Sequence, residues 1–436
     1  MNQTYNDRKF RLLHPKDQIV MIMERIYSYG MTTTSGGNLS VLDDEGVMWI
    51  SPGGVDKGRL TREDIVAVLP DGTIQGKHKP SSEYPFHRAL YQVRSDIRAV
   101  LHAHPPALVA FSVAGKVPDT SVLPNANRVV GKVDFVPYAL PGSEELGEKI
   151  ADSFRKGYTT VILENHGTVT AADDLFRAFM QFETMDFAAR LEIRDSSLGP
   201  IHGLSDQDHR ALDHKQHELE EFEPSGHSSL ERELRSEMVE IIRRSYRQHL
   251  FTSTEGTFSV RVGEDSFLIT PYGYDRMYLE ARDLVLIRSG RRQQGKLPSR
   301  SVLMHREVYR QNPKINSIII AHPPALMAFN VTKTPFDTRI IPEAYILLRD
   351  LKTLAFATPI TDYQTMAKEV GPAQPILMIQ NNGVVVTGES LLQAFDRLEV
   401  AEFSAKAVFD ALSLGKVNSI GDEEIDQLKK AFKLPG

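Results

Sequence analysis

The chain has 436 residues, 41% apolar and 25% charged, the balance of a soluble globular protein long enough for two or three domains. A formal net charge of −6 argues against the basic field that general nucleic-acid binding needs. With no cysteine, a polar start (MNQTYNDRKF) and no run near the roughly 20 apolar residues of a spanning helix, the expectation is a cytoplasmic protein without disulfides or membrane contact.

Apolar spacing predicts a helix around Gln18–Tyr29, then short strands near Asn38–Leu42, Met48–Ser51 and Ile65–Leu69. A second helix follows Ser81–Ser82, with Phe86, Leu90 and Val93 spaced for one face. RAVLHAH reads as a strand running into a stop at Pro105–Pro106, and TTVILEN (159–165) as a continuous apolar strand. DDLFRAFMQFETMDFAARLEIR reads as a long amphipathic helix. Strands mixed with helices suggest a layered α/β domain.

His102 and His104 stand two apart in a predicted strand, so both point to one face. His166 closes another strand, before Gly167. Three imidazoles from two strand ends can make a facial metal site with open positions, as a catalytic zinc is commonly held. The alternative is two buried structural histidines and an unrelated third. The SSE at 81–83 taken alone is an N-cap with a first-turn acid.

The chain repeats itself. AVLHAHPPALVAF (99–111) returns as IIIAHPPALMAF (318–329), GGNLSVLDDEGVMWISPGG (36–54) as EGTFSVRVGEDSFLITPYG (255–273), and LENHGTVT (163–170) as IQNNGVVV (379–386). The order is constant and the offset drifts only from 219 at Gly37/Gly256 to 216 at Gly167/Gly383, so the repeated unit is a whole domain. Between the copies, 199–229 is polar and reads as part helix, part linker; His214 and His217 within it read as solvated surface.

In order, TSGGNLS, ISPGG, HKPSSEYPFHRALYQVRSDIRAVLHAHPPALVAF, PGSEEL and ILENHG resemble the class II aldolase/adducin family. The resemblance covers most of copy 1 and, more weakly, most of copy 2. It implies two tandem three-layer α/β/α domains, each around a mixed, largely antiparallel sheet: a catalytic domain at 7–222 and a degenerate one at 223–436. It implies that His102, His104 and His166 bind one divalent metal per chain, zinc first among them, and that Glu83 is the acid/base group. Gly37, Asn38, Gly53, Gly54, Ser81 and Ser82 fall where the family binds the substrate's phosphate or an equivalent anion. Glycine loops and a helix start suit an anion physically. Gly53–Gly54 stands where a hydroxyl residue followed by Gly is common, so one donor is missing.

In copy 2, Ile320 replaces His102, Asn382 replaces His166 and Ser301 replaces Glu83; only His104 persists, as His322. That copy is expected to have kept the fold and lost the metal. Family aldolases present a tyrosine about twenty residues after the HxH pair to a neighbouring subunit's site. Copy 1 has none there, whereas IIPEAYILLR in copy 2 offers Glu343 and Tyr345 as further catalytic groups, Tyr345 packing in a strand being the alternative. The resemblance thus implies a homodimer forming a pseudo-tetrameric ring. It implies a metal-dependent carbon–carbon lyase performing retro-aldol cleavage of a ketose phosphate or related sugar. Decarboxylation of a 3-oxo sugar acid and 4-epimerisation are alternatives, as is an adducin-like binding role without catalysis. Adducin-type members lack the metal histidines, and copy 1 keeps all three.

Overall fold

The computed structural model describes residues 8–195, 197–205, 208, 210 and 218–434. It divides into two compact units, one running to Ser121 and resuming over Asn125–Ile193, the other chiefly from Arg194 onward. His214 and His217 lie outside the described residues.

The first unit is built on β1 (Asn38–Leu42), β2 (Met48–Ile50), β3 (Val66–Val68), β4 (Ile74–Gln75), β5 (Ala99–Ala103), β6 (Asp134–Val136), β7 (Thr160–Leu163) and β8 (Gly167–Ala172). They form one sheet in the order β4-β3-β2-β1-β5-β8-β7-β6. Only β6 and β7 pair parallel; hairpins and antiparallel returns join the rest. Alternate side chains of one strand serve opposite faces. Val161 and Leu163 pack with Phe86, Leu90, Leu146, Ile150 and Phe154, from the helices Tyr84–Val93 and Glu144–Arg155. Ile162 points the other way, to Leu108, Phe111, Met185 and Ala189 of the helices Pro106–Val113 and Leu175–Asp195. The unit is therefore a three-layer α/β/α domain around a mixed, mostly antiparallel sheet.

The second unit repeats this plan. Its strands are β9 (Glu221–Phe222), β10 (Thr257–Gly263), β11 (Ser266–Ile269), β12 (Val285–Arg288), β13 (Arg291–Gln293), β14 (Ser317–Ala321), β15 (Lys352–Leu354), β16 (Ile376–Ile379) and β17 (Gly383–Gly388). Their order is β15-β16-β17-β14-β10-β11-β12-β13-β9. The register is conserved between units: Asn38 pairs with His102, and Thr257 with Ile320.

One expectation is extended and three need correction. Pro105–Pro106 does more than end a strand: Pro106 begins the helix Pro106–Val113, where its missing N–H is no loss. The helix Leu175–Asp195 is not amphipathic in use. Phe179 and Phe182 are fully buried, but so nearly are Glu183, Thr184 and Asp186; Asp186 is paired with Arg190 at 2.9 Å. Within 199–229, Glu221–Phe222 is an edge strand of the second sheet, parallel to β13. The IIPEAYILLR segment is a helix, Pro342–Leu348, not a strand. Among the described residues, no helix is long and apolar enough to cross a membrane.

Candidate functional site

The first unit's three histidines arrive from two adjacent strand ends. His102 lies in β5, and its register partner in β8 is Val169. His104 follows β5 directly, and Pro105 then turns the chain into a helix. His166 sits in the three-residue turn between β7 and β8, with Leu163 and Gly167 paired across it. Asn165 takes a positive φ of 53° there, a conformation that Asn tolerates better than most residues. Small residues make room: a Cβ on Gly167 would lie 2.6 Å from His104 Cδ2, and one on Gly37 2.9 Å from the His102 carbonyl oxygen.

One ligand nitrogen from each histidine falls within 4.8 Å of the others. The His102 and His104 Nε2 atoms are 3.0 Å apart. His102 Nδ1–H donates to the Thr168 carbonyl at 2.9 Å, so its Nε2 presents a lone pair. Burial, with His102 and His166 nearby, pushes the His104 imidazole down to about 3, and burial pushes His166 down to about 4. Neutral imidazoles with converging lone pairs repel one another unless a cation lies between them. A tetrahedral zinc at 2.0–2.1 Å from each ligand nitrogen sets the nitrogens about 3.3 Å apart, against 3.0 Å for the His102–His104 pair and no more than 4.8 Å across the set. The residues fit a divalent metal ion.

Glu83 lies beside them, 8% exposed, just before the helix Tyr84–Val93. Its Oε2 is 3.3 Å from His102 Nε2 and accepts from Asn38 Nδ2 at 2.8 Å. Its Oε1 is 3.5 Å from His166 Nε2 and, among the described residues, accepts no hydrogen bond although buried. Burial acts to raise the carboxyl pKa; positive charge in the histidine cluster, whether a proton or a bound cation, and the hydrogen bond from the Asn38 amide act the other way and hold the group below the usual carboxylate range. The result is an ionised carboxylate with one committed oxygen and one uncommitted oxygen at the mouth of the histidine cluster.

The residues expected around an anion divide into two sets. Gly53, Gly54 and Ser82 are exposed, and Gly54 has a φ of 69° with open space where a Cβ would be. The loops carrying them are joined: Ser81 N–H donates to the Ser51 carbonyl at 3.2 Å, and Gly53 N–H to that of Lys79 at 3.2 Å. Gly37, Asn38 and Ser81 are buried. Both ends of the Asn38 amide are committed, Oδ1 to His87 and Nδ2 to Glu83. Lys57, whose Nζ donates to the Pro52 carbonyl, is buried at the same loop and was not singled out by sequence reasoning.

The second unit lacks these groups. Ile320 stands in the place of His102, and Ser301 in that of Glu83. His322 Nε2 is 3.9 Å from a Glu255 carboxylate oxygen. Among the described residues, no comparable group of ligating side chains occurs in this unit. Arg276, at the place of Lys57, spans the loops instead, donating to the carbonyls of Glu255 (2.9 Å), Gly256 (3.1 Å), Pro271 (3.3 Å) and Tyr274 (2.8 Å). Glu343 is exposed on the first turn of the helix Pro342–Leu348, and Tyr345 is buried at 8% exposure.

A layered α/β domain carrying three converging histidines and a buried glutamate, repeated along the chain as a second copy that has other residues at those positions, defines a duplicated protein with a candidate metal site. The chain belongs to the family described as class II aldolase and adducin N-terminal domain, which matches residues 17–193 and again 236–409. It is 35% identical to the L-fuculose phosphate aldolase of Methanococcus maripaludis over 40% of this chain and 93% of that protein. It is 31% identical to the 3-oxo-tetronate 4-phosphate decarboxylase of Haemophilus influenzae over 41% of this chain and 87% of that protein. Among solved structures, an L-fuculose 1-phosphate aldolase is similar at 30% identity, with 45% of this chain and 93% of that chain covered and a TM-score of 0.41. Each match spans a share of this chain about the size of one copy.

Proposed function

We propose that this chain is a zinc-dependent carbon–carbon lyase of the cytoplasm, cleaving a ketose phosphate or related sugar derivative by a retro-aldol reaction, with one working site per chain. The observation that carries the reading is the convergence of His102, His104, His166 and the Glu83 carboxylate, among the described residues in one unit only. His102, His104 and His166 would hold the divalent ion, which when bound supplies Lewis acidity at a carbonyl or hydroxyl oxygen.

Glu83 moves the proton. Its uncommitted Oε1 accepts a proton as the carbon–carbon bond opens and returns it to the carbanionic carbon of the fragment left behind. Burial keeps bulk water from competing for that proton. The open backbone at Gly53–Gly54 and the turn at Ser81–Ser82, which leads into the helix Tyr84–Val93, bind the substrate's anionic group together with Gly37 and Asn38. Glu343 and Tyr345 of the second copy complete a neighbouring site; Glu343 is the exposed member of that pair.

A second reading, decarboxylation of a 3-oxo sugar acid phosphate, has its own support. The helix Pro124–Val129 carries no tyrosine where sugar-phosphate aldolases of this family use one. Loss of carbon dioxide needs an electron sink and a returned proton, but no base to deprotonate a hydroxyl that becomes the carbonyl of a departing aldehyde.

The test incubates the zinc-loaded protein with 6-deoxyketose 1-phosphates and with 3-oxo-tetronate 4-phosphate, detecting dihydroxyacetone phosphate in the first case and carbon dioxide in the second. Cleavage of the first class is expected. Glu83→Gln should lower turnover by about 10²–10⁴-fold with the metal still bound. Turnover within a few-fold of wild type would leave Glu83 a structural role only.

A further inference from the structure

Behind Glu83 a hydrogen-bonded chain runs into the core. Asn38 Nδ2 donates to Glu83 Oε2 at 2.8 Å, and Asn38 Oδ1 faces His87 Nε2 at 2.5 Å. His87 Nδ1 is 2.7 Å from Ser40 Oγ, which is 2.7 Å from the Tyr91 hydroxyl. Asn38, Ser40 and His87 are each at most 3% exposed. The directions follow from one end. A carboxylate only accepts, so the Asn38 amide nitrogen must face it and the amide oxygen must face His87. Burial pushes the His87 imidazole down to about 3, so the ring is neutral with a single N–H, which must be on Nε2. Nδ1 then accepts from the Ser40 hydroxyl, and Ser40 accepts from Tyr91.

The second copy shows which part of this chain the fold requires. Ser259, His305 and Tyr309 repeat the inner part, again at 2.7 Å and 2.7 Å. The outer part is missing. Thr257 replaces Asn38 and pairs with Ser299 at 2.8 Å, and Ser301 replaces Glu83. Among the described residues, His305 Nε2 has no hydrogen-bond partner although the ring is fully buried. The Ser–His–Tyr part thus persists without a carboxylate to serve, and the link through Asn38 is found only where the carboxylate is.

We propose that His87 is a positioning residue for Glu83: through its Nε2–H it fixes the Asn38 amide, which in turn fixes the rotamer of the Glu83 carboxylate and leaves Oε1 as the oxygen available to substrate. The kinetic side of this rests on the reading of Glu83 as the acid/base group; the structural side does not.

The test compares His87→Leu, which removes the donor, with His87→Gln, whose Nε2–H₂ restores it, and uses His305→Leu in the second copy as a control for lost packing. Metal content and crystal structures of the zinc-loaded proteins are read first. All variants should keep the wild-type metal content. The Glu83 carboxylate should leave its wild-type rotamer in His87→Leu and keep it in His87→Gln. With a turned-over substrate in hand, His87→Leu should lose about 10–100-fold in kcat with KM within about threefold, and His87→Gln should recover most of it. If His87→Leu does not fold, Asn38→Ser breaks the same link one residue closer and should displace Glu83 in the same way. An unmoved Glu83 in the folded variants, equal losses in the Leu and Gln variants, or a loss confined to KM would overturn the proposal. A wild-type protein that cleaves no sugar phosphate would sink the lyase reading while the rotamer comparison still decides this one.

Discussion

Lys57 carries an ammonium group into the first unit, where it is 2% exposed and donates to the Pro52 carbonyl. Burial pushes it down from 10.5 to about 8. At the aligned position the second unit has Arg276, with four carbonyl partners and a guanidinium that burial pushes down to about 10, against the opposing pull of Asp275 and Glu255. The wider reach of Arg276 ties its loops shut, whereas Lys57 holds one carbonyl and leaves the glycine loop beside it open. The consequence for pH has a definite sign. Between about pH 8 and pH 10.5 the unfolded chain holds a proton at Lys57 that the folded chain has released, so stability from this group rises with pH. Below about pH 8 the full burial penalty remains. Lys57→Met has no such dependence. Urea melts should therefore show wild type gaining on Lys57→Met by roughly 2 kcal/mol between pH 7 and pH 10. A constant difference across that range would show that Lys57 titrates as a solvated amine.

At the scale of elements, what is legible in the sequence is what periodicity encodes. The strand Ala99–Ala103 and the helix Tyr84–Val93 show because one is a short apolar run broken only by His102 and the other has Phe86 and Leu90 on a single face. The metal histidines show because a strand's alternation puts His102 and His104 together. The turn that delivers His166 does not show, since it depends on one residue, Asn165, adopting a positive φ. The core chain of Ser40, His87 and Tyr91 escapes for a different reason. Each is an ordinary polar residue in its own segment, and only distance in space relates them. A signal existed in the duplication: FHRALYQ and LMHREVYR keep a His and a Tyr four residues apart, and Ser259 repeats Ser40. The turn supports its own prediction. Its twin, Asn381, has a φ of 52° in the second unit, where no metal ligand follows, so the conformation belongs to the fold. Asn165→Gly should be tolerated. Asn165→Val, β-branched in a left-handed conformation, should lower stability by about 1–2 kcal/mol. Because His166 is the next residue, the Val variant should also bind zinc more weakly in a metal titration. Unchanged affinity in a destabilised variant would separate the turn from ligand placement.

For the whole molecule, duplication has left two domains with one histidine cluster among the described residues. The second sheet keeps the register of the first, so the loss lies in the side chains and not in the frame: Ile320 sits opposite Thr257 as His102 sits opposite Asn38. His322 alone offers a single imidazole, and a structural or catalytic zinc needs at least three protein ligands. Elemental analysis should therefore give about one divalent ion per chain. His102→Ala should lose most of it, and His322→Ala should keep it. A ring of four such domains needs only two chains of this length, so the mass in solution should be that of a dimer. These measurements constrain one another. One metal per chain in a dimer means two working and two silent domains per particle, the arrangement in which Glu343 can act on a neighbouring site, and Glu343→Gln should then reduce turnover without releasing metal. Two tightly held ions per chain would overturn the silent-domain reading whatever the mass. A monomer with one ion and full activity would leave Glu343 and Tyr345 outside the chemistry, and the second domain with a structural part only.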